Sequence, residues 1–211
     1  MTRIFVEGRD KEFIEVYLSH LYKNDWMGKI RVISTGGYTA LYSKTAILNQ
    51  LTDSIKSGGK NIVIFDADFK ENGGSYEQRK LFLEQKLGSV GFSGVDMFLF
   101  PNQSEDGDFE TLIERVANPL HTRLFSCFKK YENCIKSYNE PKYKTPNRKN
   151  MLHSYLFTFV KSEEEEKKFK VSFLYENPEY WDLNATALNP LKEFLNRVLT
   201  CLLYTSPSPR D

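Results

Sequence analysis

Acidic side chains follow several short apolar runs in this sequence, and carboxylates so placed can bind a divalent cation or transfer protons. Glu7 follows the run Thr2–Val6, and Asp66 and Asp68 follow the run Asn61–Phe65. Clustered carboxylates repel one another at neutral pH, and a hard cation such as Mg²⁺ relieves that repulsion by taking oxygen ligands. The pattern therefore indicates a candidate site for magnesium-assisted chemistry on a substrate that carries phosphate.

A further group of acids follows the apolar run Met97–Phe100, in the polar segment 105–110. Asp106, Asp108 or Glu110 can complete the predicted cluster. Asp108 and Glu110 equally suit the first turn of a helix, where carboxylates accept backbone N–H groups and interact with the helix dipole. An Asp-x-Asp sequence after a strand also often begins a turn. Both interpretations stay open at this point.

The elements that must position these acids are four predicted strands separated by amphipathic helices. Strands are predicted at 2–6, 30–33, 61–65 and 97–100, and helices at 11–22, 38–57, 75–87 and 108–116. Strands that alternate with helices indicate βαβ units and a mainly parallel sheet. The carboxyl ends of parallel strands meet at one edge, which is where such folds bind ligands. The acids are therefore expected to gather there.

The chain changes character after Asn118-Pro119, so we predict an α/β core over 1–118 and a helical or mixed extension, packed on the core, over 119–200. Within the extension, 151–160 is ambiguous between strand and helix, and 171–174 is compatible with a further strand. The last eleven residues, CLLYTSPSPRD at 201–211, resemble an in-frame translation of the transposon-end adapter used in DNA library preparation. We therefore expect the natural chain to continue past Thr200. A natural Ser/Pro-rich terminus is the alternative.

Composition places the chain among ordinary globular proteins, with 40% hydrophobic and 27% charged residues and a net charge of +1. Such a charge provides no strong global field to attract nucleic acid. The sequence has no leader-like apolar segment and no membrane span, so a cytoplasmic location is expected. Cys127 and Cys134 lie seven residues apart in a helical pattern, and we predict that they are buried free thiols.

One segment is locally basic. Seven Lys and Arg residues occur over Lys129–Lys149 against only Glu132 and Glu140. Three tyrosines are interleaved with them: Tyr131, Tyr138 and Tyr143. Basic and aromatic residues together suit a nucleic-acid strand, although an ordinary solvated helix and loop has the same composition. Thr35-Gly36-Gly37, after the second strand, lacks the lysine of a phosphate-binding loop and is more simply a strand-to-helix turn.

Two of these motifs resemble a known family. FVEGRDKEF at 5–13 and VIFDAD at 63–68 resemble the Toprim superfamily of DnaG-type primases, topoisomerases and OLD-family nucleases. That superfamily places Glu-Gly after strand one and Asp-x-Asp after strand three. The resemblance is closest to uncharacterised bacterial Toprim-like proteins, which also have segments like FLFPNQSEDGDFETL at 98–112 and YWDLNATALNPLKEFL at 180–195. It thus covers most of 2–200.

The resemblance implies a Toprim/Rossmann-like α/β fold: a four-stranded, mainly parallel sheet with helices on both faces and a smaller C-terminal extension. By the same resemblance Glu7 acts as general acid/base or metal ligand. The implied magnesium or manganese ligands are Asp66 and Asp68, with Asp10, Asp108 and Glu110 as further candidates. Many family members have another acid four residues after the first Glu, where this chain has Lys11, so one or two metals remain possible.

The function that the resemblance implies is magnesium-dependent phosphodiester chemistry, most simply that of a nuclease, in bacterial defence against phage. A partner protein such as an ATPase is also implied. The alternative is a catalytically inactive Toprim-like module that binds a nucleotide, a nucleic acid or a protein. Nucleic acid is expected to bind through Lys129–Lys149, and no membrane partner is expected.

Overall fold

Four parallel strands form a single sheet. The structure is a computed structural model that describes residues 1–72 and 74–203. The strands are β1 Thr2–Val6, β2 Ile30–Ser34, β3 Asn61–Asp66 and β4 Asp96–Phe100, and they lie in the order β2-β1-β3-β4. All three strand pairs are parallel. The predicted α/β class, with a four-stranded parallel sheet, is confirmed.

Helices connect the strands and continue beyond them. They are α1 Asp10–Tyr22, α2 Ala40–Ser43, α3 Thr45–Lys56, α4 Tyr76–Ser89, α5 Phe109–Val116, α6 Arg123–Ser137, α7 Arg148–Phe157, α8 Glu163–Val171 and α9 Asn189–Leu203. The helix predicted over 38–57 is two helices, because Lys44 adopts an extended conformation with φ −87° and ψ 118°. Among the described residues, none of these helices is both long and apolar enough to cross a membrane.

The sheet is covered by helices on both faces, because neighbouring residues of a strand point to opposite sides. Leu99 of β4 belongs to a buried cluster with Leu51 of α3 and Leu83 of α4. Phe98, next to it, points the other way and packs against Phe194 of α9, with ring centroids 5.4 Å apart. The strand residues on both sides are therefore buried, as the apolar residues Ile62–Phe65 of β3 predict.

The described chain divides into two compact units. The first contains residues 1–109 and 186–203, and the second contains residues 110–185. The predicted boundary at 118 therefore lies inside the second unit. The last helix, α9, belongs to the first unit with the sheet, because it contributes Phe194, Leu195 and Leu199 to the buried core. The order of the elements in the sequence does not show that the chain returns to the first unit after residue 185.

The second unit and the C-terminus agree with some local predictions and differ from others. Residues 148–157 form a helix, which settles the ambiguous segment, and a capping box of Asn147 and Asn150 begins it. No strand forms at 171–174, because α8 continues through Val171. The prediction of buried thiols was wrong: Cys127 and Cys134 are exposed. Residues 201–203 extend α9, and 204–211 lie outside the described residues.

Candidate functional site

Glu7 and Asp66 lie together at the carboxyl edge of the sheet. Val6 of β1 is aligned with Ile64 of β3, so the two adjacent strands end side by side. Asp66 is the last residue of β3, and Glu7 directly follows β1. A carboxylate oxygen of Glu7, Oε1, accepts a hydrogen bond from the backbone N–H of Asp66 at 3.4 Å. Parallel pairing of the two strands therefore places these two predicted site residues in contact.

The Glu7 carboxyl lies in an environment that disfavours its charge. Burial is the largest cause, and repulsion by Asp10 is the second; together they raise the pKa of Glu7 to about 7. The N–H of Asp66 and the charge of Arg79 act in the opposite direction, and Asp68 adds a further small increase. Repulsion among the clustered carboxylates thus contributes to the raised pKa of Glu7, but desolvation contributes more. Glu7 therefore exchanges its proton near neutral pH.

Asp66 joins the end of β3 to the beginning of α5. Its Oδ1 accepts a hydrogen bond from the backbone N–H of Phe109 at 2.8 Å. The ring of Phe109 packs against Phe13 of α1 and Phe100 of β4, with centroid distances of 5.3 and 5.2 Å. Asp66 thus stabilises the first turn of α5 from a distant part of the chain, a role that sequence reasoning gave to Asp108.

Asp68 forms an ion pair with Arg79 of α4. The Asp68 backbone is in the left-handed region, with φ 63°, and it exchanges two hydrogen bonds with Gly107, of 2.7 and 3.0 Å. A Cβ atom built on Gly74 would lie 2.6 Å from the Asp68 Cβ, so the two backbones approach closely. The guanidinium carbon of Arg79 lies 3.8 Å from the centroid of the Tyr38 ring. Asp68 is therefore held by a rigid surrounding structure.

Arg79 and Tyr38 were not identified from the sequence, although Arg79 had a detectable signal. Arg79 is on the buried face of α4, at the four-residue spacing of Leu83 and Leu87. A basic residue in that stripe must have a partner, because burying an unpaired charge is costly. The position of Arg79 in the first turns of a helix is also unfavourable for a cation. Asp68 supplies the partner, and Tyr38 covers the guanidinium.

The other predicted residues have different positions. Asp106 accepts a hydrogen bond at 2.8 Å from the N–H of Tyr76, in the first turn of α4. Asp108 is partly buried in the first unit, and Glu110 is the first residue of the second unit. Lys11, at the position of the expected acid, forms an ion pair with Glu15 at 3.6 Å. Asp10, in the first turn of α1, is a candidate whose charge contributes to the raised pKa of Glu7.

The turn after β2 uses its N–H groups within the protein. The backbone N–H groups of Gly36 and Gly37 both donate to the carbonyl oxygen of Glu7, at 2.9 and 3.1 Å. Both glycines have positive φ, 78° and 124°. The turn therefore fixes the backbone of Glu7, which agrees with its interpretation as a strand-to-helix turn.

Few carboxylates are available at this edge of the sheet as ligands for a metal ion. Within 1–72 and 74–203, no group of three or more Asp, Glu, His or Cys side chains is arranged to hold a metal ion. A ligand cage made only of protein is therefore absent from the described residues. Mg²⁺ commonly takes only one or two carboxylates and completes its shell with water and substrate phosphate. Asp66 and Asp68 are hard oxygen donors of that kind, and Asp68 is part of the charge that a cation would offset at Glu7.

Comparison with known proteins gives one match. No curated protein and no solved structure matches this chain. A family model described as "Protein of unknown function (DUF3226)" matches residues 1–200. Because this match covers nearly the whole sequence, the chain belongs to that family.

Proposed function

We propose that this chain is a magnesium-dependent nuclease of the cytoplasm, in which Glu7 transfers a proton during cleavage of a phosphodiester. The observation that supports this function is the arrangement of Glu7, Asp66 and Asp68 at the ends of two adjacent parallel strands. Ligands of open α/β sheets bind at that edge. Manganese has the same ligand preference and is expected to substitute for magnesium.

The proposed step requires a group that both accepts and releases a proton near neutral pH. In hydrolysis, the oxygen of water forms a bond to phosphorus while the bond from phosphorus to the leaving oxygen breaks. Ionised Glu7 accepts the proton of the attacking water, and a proton returns to the leaving oxygen. A carboxyl whose pKa is about 7 is well matched to this role.

Asp66 and Asp68 are the residues that would hold the metal ion. When bound, magnesium would offset the negative charge that develops on the phosphate oxygens. To hold the ion, Asp68 would have to release its ion pair with Arg79, which would leave the guanidinium of Arg79 available to an anionic substrate. Asp66 would hold the ion from the end of β3, where its Oδ1 accepts the N–H of Phe109.

A second candidate function is a non-catalytic module that binds a nucleotide, a nucleic acid or a protein. The observation in its favour is that both aspartates already have protein partners, namely Arg79 for Asp68 and the Phe109 N–H for Asp66. These contacts are sufficient to explain both residues as parts of the fold. In that case the rise in the pKa of Glu7 has no catalytic purpose.

A cleavage assay distinguishes the two functions. Fluorescein-labelled single-stranded DNA, single-stranded RNA and duplex DNA are incubated with the full chain and Mg²⁺, Mn²⁺ or EDTA. We expect cleavage that requires the metal and that falls by about 10²–10⁴-fold in Glu7→Gln, the usual contribution of a general acid or base. Glu15→Gln is the matched control, because Glu15 is a partly exposed carboxylate that pairs with Lys11.

The pH dependence provides an independent test. The rate of the wild-type chain should change with an apparent pKa near 7, and this dependence should be absent from the residual rate of Glu7→Gln. Equal rates in the wild type and Glu7→Gln would contradict the role of Glu7. Tight nucleic-acid binding without turnover in either metal would support the non-catalytic module. The implied role in phage defence is tested by plaque counts on bacteria that express each variant.

A further inference from the structure

The second unit contains an exposed segment that contributes little to the buried core. We call it the cationic tyrosine segment and define it as Lys129–Lys149. It contains most of α6 and the loop before α7. The buried part of α6 is Phe125, outside the segment. The three tyrosines are strongly exposed: Tyr131 by 56%, Tyr138 by 60% and Tyr143 by 44%. Such exposed rings contribute little to the core.

The segment is strongly charged although the chain is nearly neutral. Seven basic and two acidic residues give it a net charge of +5, against +1 for the whole chain. Ion pairs account for part of the charge: Lys136 with Glu132 at 2.6 Å, and Lys142 with Glu140 at 2.9 Å. Lys129 and Arg148 share Glu114. Within the cationic tyrosine segment, all of which the structure describes, the three lysines without an ion pair are Lys130, Lys144 and Lys149.

Rings and cations alternate at short distances in this segment. Tyr138 and Tyr143 pack edge to face, with centroids 5.5 Å apart. The Nζ atom of Lys142 lies 5.3 Å from the centroid of the Tyr143 ring. Tyr131 lies in α6, and Tyr138 directly follows the last residue of α6, seven positions later and about 10 Å further along the helix axis. This combination suits a single strand of nucleic acid, because its bases can stack on the rings while its phosphates contact the cations.

We propose that the cationic tyrosine segment binds single-stranded nucleic acid, with bases stacked on Tyr138 and Tyr143 and phosphates bound by Lys130 and Lys144. This inference deepens the proposed nuclease function by naming its substrate class, but the binding itself rests on the second unit alone. Duplex DNA fits less well, because paired bases do not present their faces to a tyrosine ring. The positive charge of the segment favours a negatively charged strand over a neutral peptide as its ligand.

The test uses the full chain carrying Glu7→Gln, so that binding is measured without cleavage. The probes are fluorescein-labelled oligo(dT), oligo(U) and a duplex of equal length, and fluorescence anisotropy is measured from 50 to 200 mM salt. Single strands should bind more tightly than the duplex. The logarithm of the association constant should fall linearly with that of the salt concentration, with a slope of about −0.7 for each phosphate contact. Comparison of oligo(dT) with oligo(U) shows whether DNA or RNA is preferred.

Ring and charge variants separate stacking from electrostatics. Tyr138→Ala with Tyr143→Ala should weaken binding by at least about tenfold, which corresponds to about 1.4 kcal/mol. Tyr138→Phe with Tyr143→Phe should retain binding, because the ring is preserved. Lys130→Ala with Lys144→Ala should make the salt slope shallower by about 1.4.

The charge control is Lys168→Ala with Lys170→Ala in α8. Each of these lysines pairs with a glutamate one turn earlier, Glu164 and Glu166, so their loss should leave binding unchanged. The proposal is overturned if the two tyrosines can be replaced by alanine without loss, or if this control weakens binding equally. Binding of the duplex as tight as that of the single strands would also overturn it. Failure of cleavage in the wild type, with binding intact, would reject the nuclease function and leave this surface standing.

Discussion

The charge of Glu7 should reduce the stability of the folded chain at neutral pH. Burial raises its pKa from 4.5 to about 7, so the folded state holds this proton more tightly than the unfolded chain does. The stability that the neutral carboxyl contributes is complete below pH 4.5 and is lost as pH rises through about 7. The free energy of unfolding should therefore decrease across that window because of this one group.

The size of the effect follows from the same pKa difference. At about 1.36 kcal/mol per pKa unit, a rise from 4.5 to about 7 corresponds to about 3 kcal/mol. Glutamine resembles the neutral carboxyl in shape and cannot lose a proton. Glu7→Gln should therefore match the wild type near pH 4 and exceed its stability by up to about 3 kcal/mol at pH 8.

The assay is urea unfolding of the wild type, Glu7→Gln and Glu15→Gln at several pH values from 4 to 8, in EDTA. The difference between wild type and Glu7→Gln isolates one carboxyl from all others that titrate. Glu15→Gln should show no comparable dependence, because its carboxylate is partly exposed beside Lys11. A difference that stays constant with pH, or a Glu7→Gln variant less stable than the wild type at pH 8, would refute the reasoning.

Three further substitutions test how the site is held together. Arg79→Met should lower the free energy of unfolding by about 2 kcal/mol, because Asp68 loses its ion-pair partner; unchanged urea unfolding would contradict this. Gly74→Ala should cost about 1–3 kcal/mol, since its Cβ would lie 2.6 Å from that of Asp68; a stability equal to the wild type would show that the loop yields freely. Ser75→Ala should cost about 1 kcal/mol in thermal unfolding, because Ser75 accepts the N–H of Gln78 at the start of α4; Ser75→Asp should retain the cap.

The sheet was predictable because hydrophobic runs and strand ends are local properties. The predicted strand 61–65 became Asn61–Asp66, and 97–100 became Asp96–Phe100. Less predictable was the break at Lys44, which depends on one residue leaving the helical conformation. The packing of α9 against the sheet was also not predicted, because it depends on contacts between residues more than ninety positions apart, such as Phe98 with Phe194.

The contact between Glu7 and Asp66 was predictable, but the other partners of the site residues were not. The order and spacing of the strands placed Glu7 beside Asp66. The sequence could not show that Asp66 binds the N–H of Phe109, because that bond joins positions 43 residues apart. The exposure of Cys127 was missed for a related reason: helical spacing shows which residues share a face, whereas burial depends on what covers that face.

The backbone conformation of Asp68 limits which amino acids can replace it in related sequences. At φ 63°, Asn and Gly are accepted with little strain, whereas Ala and especially β-branched residues are not. Family members with Asn at this position would keep the turn and lose the charge. Such a replacement would remove one ligand of the proposed metal site while the turn is kept. For the same reason Asp68→Asn, rather than Asp68→Ala, is the substitution that removes the carboxylate without altering the turn.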